Sequence, residues 1–155
     1  MKLIKTLFIA AIAFTVASCG NTNKTEETTA TTTTDSEQFY QLLDEVMAVH
    51  DEMMPQMGKL SELRQNLEEK AGEDKMNAMS YEEAAKDLED AHKSMMDWMK
   101  DFGEVFPHKE DRLKGLNEEQ IKESIELMKE QQTAVNAMKE KMVSSMENAR
   151  ALLAN

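Results

Sequence analysis

The chain has 155 residues and a formal net charge of −12, because 30 acidic residues outnumber 18 basic ones. A surface this acidic repels phosphate backbones, so nucleic acid is excluded as a partner. The single cysteine can form no disulfide within the chain, and glycine, proline and aromatic residues are few. The composition is rich in helix formers, and we therefore expect an all-α protein that is stabilised by packing alone.

Residues 1–18 have the pattern of an export signal. Two lysines give a positive start, and a short apolar run from Leu7 to Ala17 follows. A transmembrane helix would need about 20 apolar residues, so this run is too short to be one. Small residues directly precede Cys19, and this arrangement resembles the lipobox of bacterial lipoproteins. The resemblance implies cleavage before Cys19 and attachment of acyl chains such as palmitate, which would anchor the protein to a membrane of the cell envelope.

Residues 19–36 are predicted to be a disordered tether. Eight of the residues between Gly20 and Ser36 are threonine, and none is large and apolar, so the segment cannot bury enough surface to fold. The residue after the cysteine is Gly20 and not aspartate. In better-studied lipoproteins, a residue other than aspartate at this position is compatible with sorting to the outer membrane. Whether the domain faces the periplasm or the outside is left open by the sequence.

From residue 37 onward, apolar residues recur at alternating spacings of three and four. This pattern predicts helices over residues 37–71, 81–102 and 118–153. Pro55 predicts a kink or an irregular turn near Glu52, because proline removes a helical hydrogen bond. Short connections favour an antiparallel three-helix bundle over residues 37–155 with coiled-coil-like seams; an extended coiled coil and a four-helix dimer are the alternatives.

Each predicted helix has an apolar seam and a start or stop signal. Capping boxes at Ser80–Glu83 and Asn117–Gln120 predict where the second and third helices begin. Gly72 and Gly103 predict where the first and second end. The predicted seams are Phe39, Leu42, Val46, Val49, Met53, Leu60, Leu63 and Leu67 in the first helix; Tyr81, Ala84, Leu88, Ala91, Met95, Trp98 and Phe102 in the second; and Ile121, Ile125, Met128, Val135, Met138, Met142, Met146, Ala149 and Leu152 in the third.

The pattern H-x-x-M-M-x-x-M occurs twice, 42 residues apart, at the same position of the apolar repeat. In an antiparallel hairpin centred on the first predicted turn, the two copies lie side by side. His50 then lies opposite Met99, and Met57 lies opposite His92. The candidate metal ligands are His50, Met53, Met54, Met57, His92, Met95, Met96 and Met99.

Thioether and imidazole ligands together favour Cu(I) and, by similar softness, Ag(I). Trp98 is placed to cover such an ion through a cation–π contact. The spacing resembles the His-x-x-Met motifs of periplasmic silver- and copper-binding proteins. The alternative is a purely structural role, because methionine is an adaptable core residue and a methionine stripe at helical spacing is commonly core. The sequence leaves both interpretations open.

The whole chain resembles small lipoproteins of Bacteroidota-type bacteria in its signal, its threonine-rich tether and its two His/Met motifs. Relatives of this kind are often labelled "viral A-type inclusion protein", a label that reflects coiled-coil similarity and implies no activity. No phosphate loop or catalytic triad is evident, so we expect no enzyme. Two hypotheses remain. One is a lipid-anchored helical module that acts through an unknown envelope protein or as a structural element. The other is Cu(I) or Ag(I) binding or buffering.

Overall fold

The computed structural model describes residues 25–107 and 111–154, with side chains described from residue 34 onward. Cys19 and the predicted signal peptide lie outside these ranges. Most of the described residues are helical, and none of them forms a strand. The helices are α1 (Thr25–Met53), α2 (Met57–Glu73), α3 (Ala78–Val105) and α4 (Glu118–Leu153), and a 3₁₀ turn (Met54–Gln56) joins α1 to α2.

The helices form the predicted all-α three-helix bundle. Its first rod consists of α1 and α2 in succession. The second rod, α3, packs against α2 and α4, and the third, α4, packs against α1, α2 and α3. The core therefore lies along the axis of the bundle, between three rods that alternate in direction.

The predicted seams supply this core. Every predicted seam residue of α3 is buried, and all those of α4 except Leu152, which is partly buried. In the first rod Leu43 is buried while Leu42 is only partly buried, a shift of one position within the same face. The side chains that are most completely buried are Phe39, Val46, Leu60, Leu67, Leu88, Met95, Met128, Val135 and Met142.

The break in the first rod includes Pro55 itself and lies slightly beyond Glu52, near which the kink is predicted. Met54–Gln56 is a 3₁₀ turn with proline in its first positions, and α2 resumes at Met57. Proline has no N–H to donate and its ring crowds the preceding turn, so the regular helical pattern cannot continue through this point. The break falls inside the first His/Met motif.

The first helix begins earlier than predicted. It starts at Thr25, so the backbone of residues 25–36 is helical where the sequence predicts a disordered tether. Asp35 is half-buried, and its charge contributes, after the larger effect of the Glu118 hydrogen bond, to a raised pKa of Lys122. The start of α4 therefore lies beside the end of the threonine-rich segment. Once a helix is nucleated, extending it costs little even through residues of modest propensity.

The capping box predicted at Ser80–Glu83 is wrong. The helix α3 begins at Ala78, and the Ser80 amide already donates to the Asn77 carbonyl at 3.0 Å. Asp74 organises the turn instead, because its carboxylate accepts from the Asn77 side chain at 2.8 Å and from two backbone amides. These hydrogen bonds, led by that of the Asn77 side chain, lower the pKa of Asp74.

At its other end α3 continues past Gly103 to Val105, so the predicted stop is also wrong. A side chain at Gly103 would meet open space, and glycine weakens a helix interior without preventing it. The capping box that starts α4 is confirmed: Asn117 and Gln120 each accept the other's backbone N–H through their side chains. Gly115, in the connection before it, has a φ of +82°, a conformation that favours glycine.

Candidate functional site

The main candidate site is a cleft where α1, α3 and the start of the α3–α4 connection meet. Its volume is about 290 Å³. Two methionines, a histidine and three aromatic rings line it together with an arginine. We call it the aromatic cleft; its lining residues are Met47, His50, Trp98, Met99, Phe102, Gly103, Phe106, Pro107 and Arg112.

His50 occupies one end of the aromatic cleft. Its side chain is only 18% exposed, and Nδ1 lies 2.8 Å from Oδ1 of Asp51. An ionised carboxylate can only accept a hydrogen bond, so Nδ1 is the donor, and in the form of the ring that carries one proton the lone pair lies on Nε2. The ring centre lies 5.7 Å from that of Trp98. His50 is thus held by a carboxylate on one side and by an indole ring beside it, with Nε2 left as a ligand atom.

Two methionines line the same cleft as His50. Met99 belongs to the second sequence motif and reaches the cleft from α3, while Met47 lies one helical turn before His50 on α1. Both are partly buried and pack against the core. Met47 was not among the candidate ligands of the sequence analysis, although its spacing of three from His50 was the signal that could have identified it.

The paired methionines of each motif separate in the structure. Met53 and Met95 are core residues, 2% and 0% exposed. Their neighbours Met54 and Met96 lie at the surface, 39% and 49% exposed. Met57 is partly buried against the core. Adjacent helix positions differ by about 100° in direction, which explains why one member of each pair enters the core and the other does not.

His92 lies in a different environment. It lines a pocket of about 250 Å³ between α2 and α3. No methionine lines this pocket; its other lining residues are Leu60, Ser61, Arg64, Leu88 and Glu89. The structure therefore brings His50 together with Met99, Met47 and Trp98, and it gives His92 an arginine and a glutamate as neighbours.

The opposite end of the aromatic cleft is built from a row of tilted aromatic rings and one arginine. The ring centres of Trp98 and Phe102 are 5.1 Å apart, and those of Phe102 and Phe106 are 5.5 Å apart. The guanidinium carbon of Arg112 lies 5.3 Å from the centre of Phe102 and 4.1 Å from that of Phe106, which are cation–π distances. Phe39 of α1 meets Phe106 at 5.8 Å and closes this end of the bundle.

Arg112 also donates from Nη2 to the backbone oxygen of Phe106. Burial lowers the pKa of Arg112 to about 10, and the nearby Tyr40 opposes that shift. Trp98 is 6% exposed, and its Nε1 donates to no acceptor in the described part of the chain. Arg112 could not be identified from the sequence, since a lone arginine in a connecting segment carries no periodic signal.

Within residues 25–107 and 111–154, no group of three or more His, Cys, Asp or Glu side chains is arranged to hold a metal ion. That finding concerns oxygen, imidazole and thiolate ligands and does not address thioethers. The helices of these ranges include none that is long and apolar enough to cross a bilayer. No family model, curated protein or solved structure matches the chain. The case for function therefore depends on the geometry of the chain itself.

Proposed function

We propose that the chain is a lipid-anchored helical module of the cell envelope that acts by binding another envelope protein and performs no catalysis. The signal and Cys19 support an acylated N-terminus, and the residue after Cys19 supports the outer membrane as its location. The first test is metabolic labelling with a palmitate analogue. Label and membrane association should both be lost in Cys19→Ala, and retention of both in that variant would contradict the anchor.

The observation that supports protein binding is the pair Met76 and Met79. They are 93% and 83% exposed, far more than the other large apolar side chains described. Met76 lies in the turn between α2 and α3 and Met79 in the first turn of α3, at the opposite end of the bundle from the start of α1. A helical rod from Thr25 to Glu73 is on the order of 70 Å long, so an N-terminal anchor would hold this turn far from the membrane. Exposed methionines suit adaptable binding surfaces.

A photo-cross-linking amino acid placed at position 76 or 79 in cells tests this proposal. Leu127 on α4 is 42% exposed and provides a matched control position outside the turn. We expect one discrete cross-linked species from positions 76 and 79 and none from position 127. Absence of any species, or the same pattern from all three positions, would contradict a partner at the turn.

A second function, Cu(I) or Ag(I) binding, is supported by the His50 end of the aromatic cleft. Nε2 of His50 and the thioethers of Met47 and Met99 are a soft donor set, and the Trp98 ring lies beside the imidazole. The Asp51 carboxylate would orient the imidazole, as carboxylates do for many metal-bound histidines. This proposal keeps His50 and Met99 from the sequence-derived set and adds Met47.

A Cu(I) competition titration under reducing conditions tests the second function on the full chain. Met47→Leu/Met99→Leu removes both sulfur atoms while nearly conserving volume, so the fold should be retained. Met54→Leu/Met96→Leu removes two exposed methionines and is the matched control. We expect the first variant to lose most of the affinity and the second to bind like the wild type. Equal binding by all three proteins would contradict the site.

A further inference from the structure

The buried polar atoms of the aromatic cleft that lack a hydrogen-bond partner are all donors. Within the described residues they are Nε1 of Trp98 and the Nε and Nη1 atoms of Arg112. A buried N–H without an acceptor is costly, and native proteins leave few of them. Three such donors in one cleft indicate that the group that completes the cleft supplies acceptors.

Arg112 is held in a way that leaves these donors available. Its partners in the described part of the chain are the Phe106 carbonyl oxygen and the faces of the Phe102 and Phe106 rings. No carboxylate is in this set, although the chain has 30 acidic residues. Nη2 donates to the Phe106 carbonyl oxygen, and Nε and Nη1 are the donors that remain without a partner among the described residues. The fork of an arginine matches the two oxygens of a carboxylate.

The remaining walls favour an apolar body next to that carboxylate. The rings of Trp98 and Phe102 and the side chain of Met47 line the cleft. Its volume of about 290 Å³ is at the low end of the range of ligand pockets, roughly 300–1,000 Å³. A cleft of this size holds a small molecule such as a single aromatic ring with a short side chain.

We propose that the aromatic cleft is a binding site for a small monocarboxylic acid with an aromatic or short aliphatic body. The carboxylate takes the donors of Arg112 and Trp98, and the apolar body lies against the Trp98 and Phe102 rings. This inference is independent of a partner at the α2–α3 turn. It shares Met47 and Trp98 with the proposed Cu(I) site, so its test is made on metal-free protein.

The single tryptophan of the chain lies in this cleft, so its fluorescence reports on the site alone. The full chain, kept metal-free with a chelator, is titrated with 3-phenylpropionate and with 3-phenylpropionamide, which has the same shape but no charge. We expect a saturable change in emission with the acid and binding weaker by about tenfold or more with the amide. Equal affinity for acid and amide, or no saturable change with either, would overturn the proposal.

Arg112→Gln should weaken binding of the acid to the level of the amide. Arg64→Gln, which alters an arginine outside this cleft that pairs with Glu68, should bind the acid like the wild type. A measurement on the wild-type protein covers the case in which Arg112→Gln does not fold. The single indole N–H resonance should move downfield as the acid saturates the site; an unmoved resonance would overturn the role of Trp98.

Discussion

The two copies of the His/Met motif share the same spacing of one histidine and three methionines but differ in environment. His50 of the first copy lies against Trp98 and shares a cleft with Met47 and Met99. His92 of the second copy lines a pocket with an arginine, a glutamate and aliphatic side chains. The donor set around each histidine is therefore determined by residues outside the motif copy to which it belongs.

Two sequence differences account for this divergence. Met47 precedes His50 by three residues, and Glu89 takes the equivalent position before His92, so one histidine has a thioether on its own helix face and the other a carboxylate. Pro55 breaks the first copy with a 3₁₀ turn, whereas α3 runs without interruption through the second. Because only one copy is interrupted, the two copies cannot be equivalent in structure.

The largest expected effect is on stability and separates the members of a Met-Met pair. Met95 is 0% exposed and Met96 is 49% exposed. Met95→Ala should lower the free energy of unfolding by about 2–5 kcal/mol, because it leaves a cavity in the core. Met96→Ala should change it by less than about 0.5 kcal/mol. Urea unfolding measures both, and equal losses would contradict the separation of the pair into core and surface.

The next effect concerns metal affinity and separates the two histidines. His50→Ala should weaken Cu(I) binding by at least about tenfold, because removing a ligand should cost no less than removing the carboxylate that orients it. His92→Ala is the matched control and should weaken it by less than about twofold, because no thioether lines the pocket of His92. A competition titration compares the two variants. Equal losses would favour the paired site that the metal hypothesis from the sequence describes.

Much of the fold could be predicted from the sequence, because periodicity and capping are local signals. The seam of α3, the 3₁₀ turn at Pro55 and the capping box of Asn117 all follow from residues within one or two turns. The start of α3 could not be predicted in this way. The Asp74 carboxylate accepts hydrogen bonds from the backbone and side chain of Asn77, three residues before Ser80, and this turn replaces the predicted capping box. Two local signals for the start of α3 are thus present in the sequence, and the sequence alone does not show which side chain forms the hydrogen bonds with the backbone.

The candidate site was less predictable, because it depends on contacts across the bundle. The hairpin register was sufficient to place His50 and Met99 opposite each other. The apolar repeat also placed Met53 and Met95, but not Met54 and Met96, in the predicted seams, and the structure agrees. Neither signal could show that Met47 and Trp98 would surround His50 while an arginine and a glutamate would line the pocket of His92. Arg112 reaches the rings of Phe102 and Phe106 from a connecting segment, where no periodicity applies.

A smaller effect is expected when the second copy is given a methionine three residues before its histidine. Glu89→Met places a thioether three residues before His92, as Met47 stands before His50, and should add a second, weaker Cu(I) equivalent. The gain should be only a few-fold over background, because Arg64 lines the same pocket and its charge opposes a cation. Glu83→Met, an exposed position on the same helix, is the control. A second site with the same Cu(I) affinity as the first would show that Arg64 does not affect binding. No gain in Cu(I) binding would show that the residue three positions before the histidine does not control it.

The smallest difference between the copies should appear in oxidation by peroxide, followed by peptide mass spectrometry. Met54 and Met96 occupy equivalent motif positions and are 39% and 49% exposed, so their rates of sulfoxide formation should agree within about twofold. Met53 and Met95 should react last, because both are almost completely buried. Early oxidation of Met53 alone would show that the 3₁₀ turn at Pro55 opens the first copy to solvent. In that case the asymmetry between the copies would include local opening of the helix as well as the residues around each histidine.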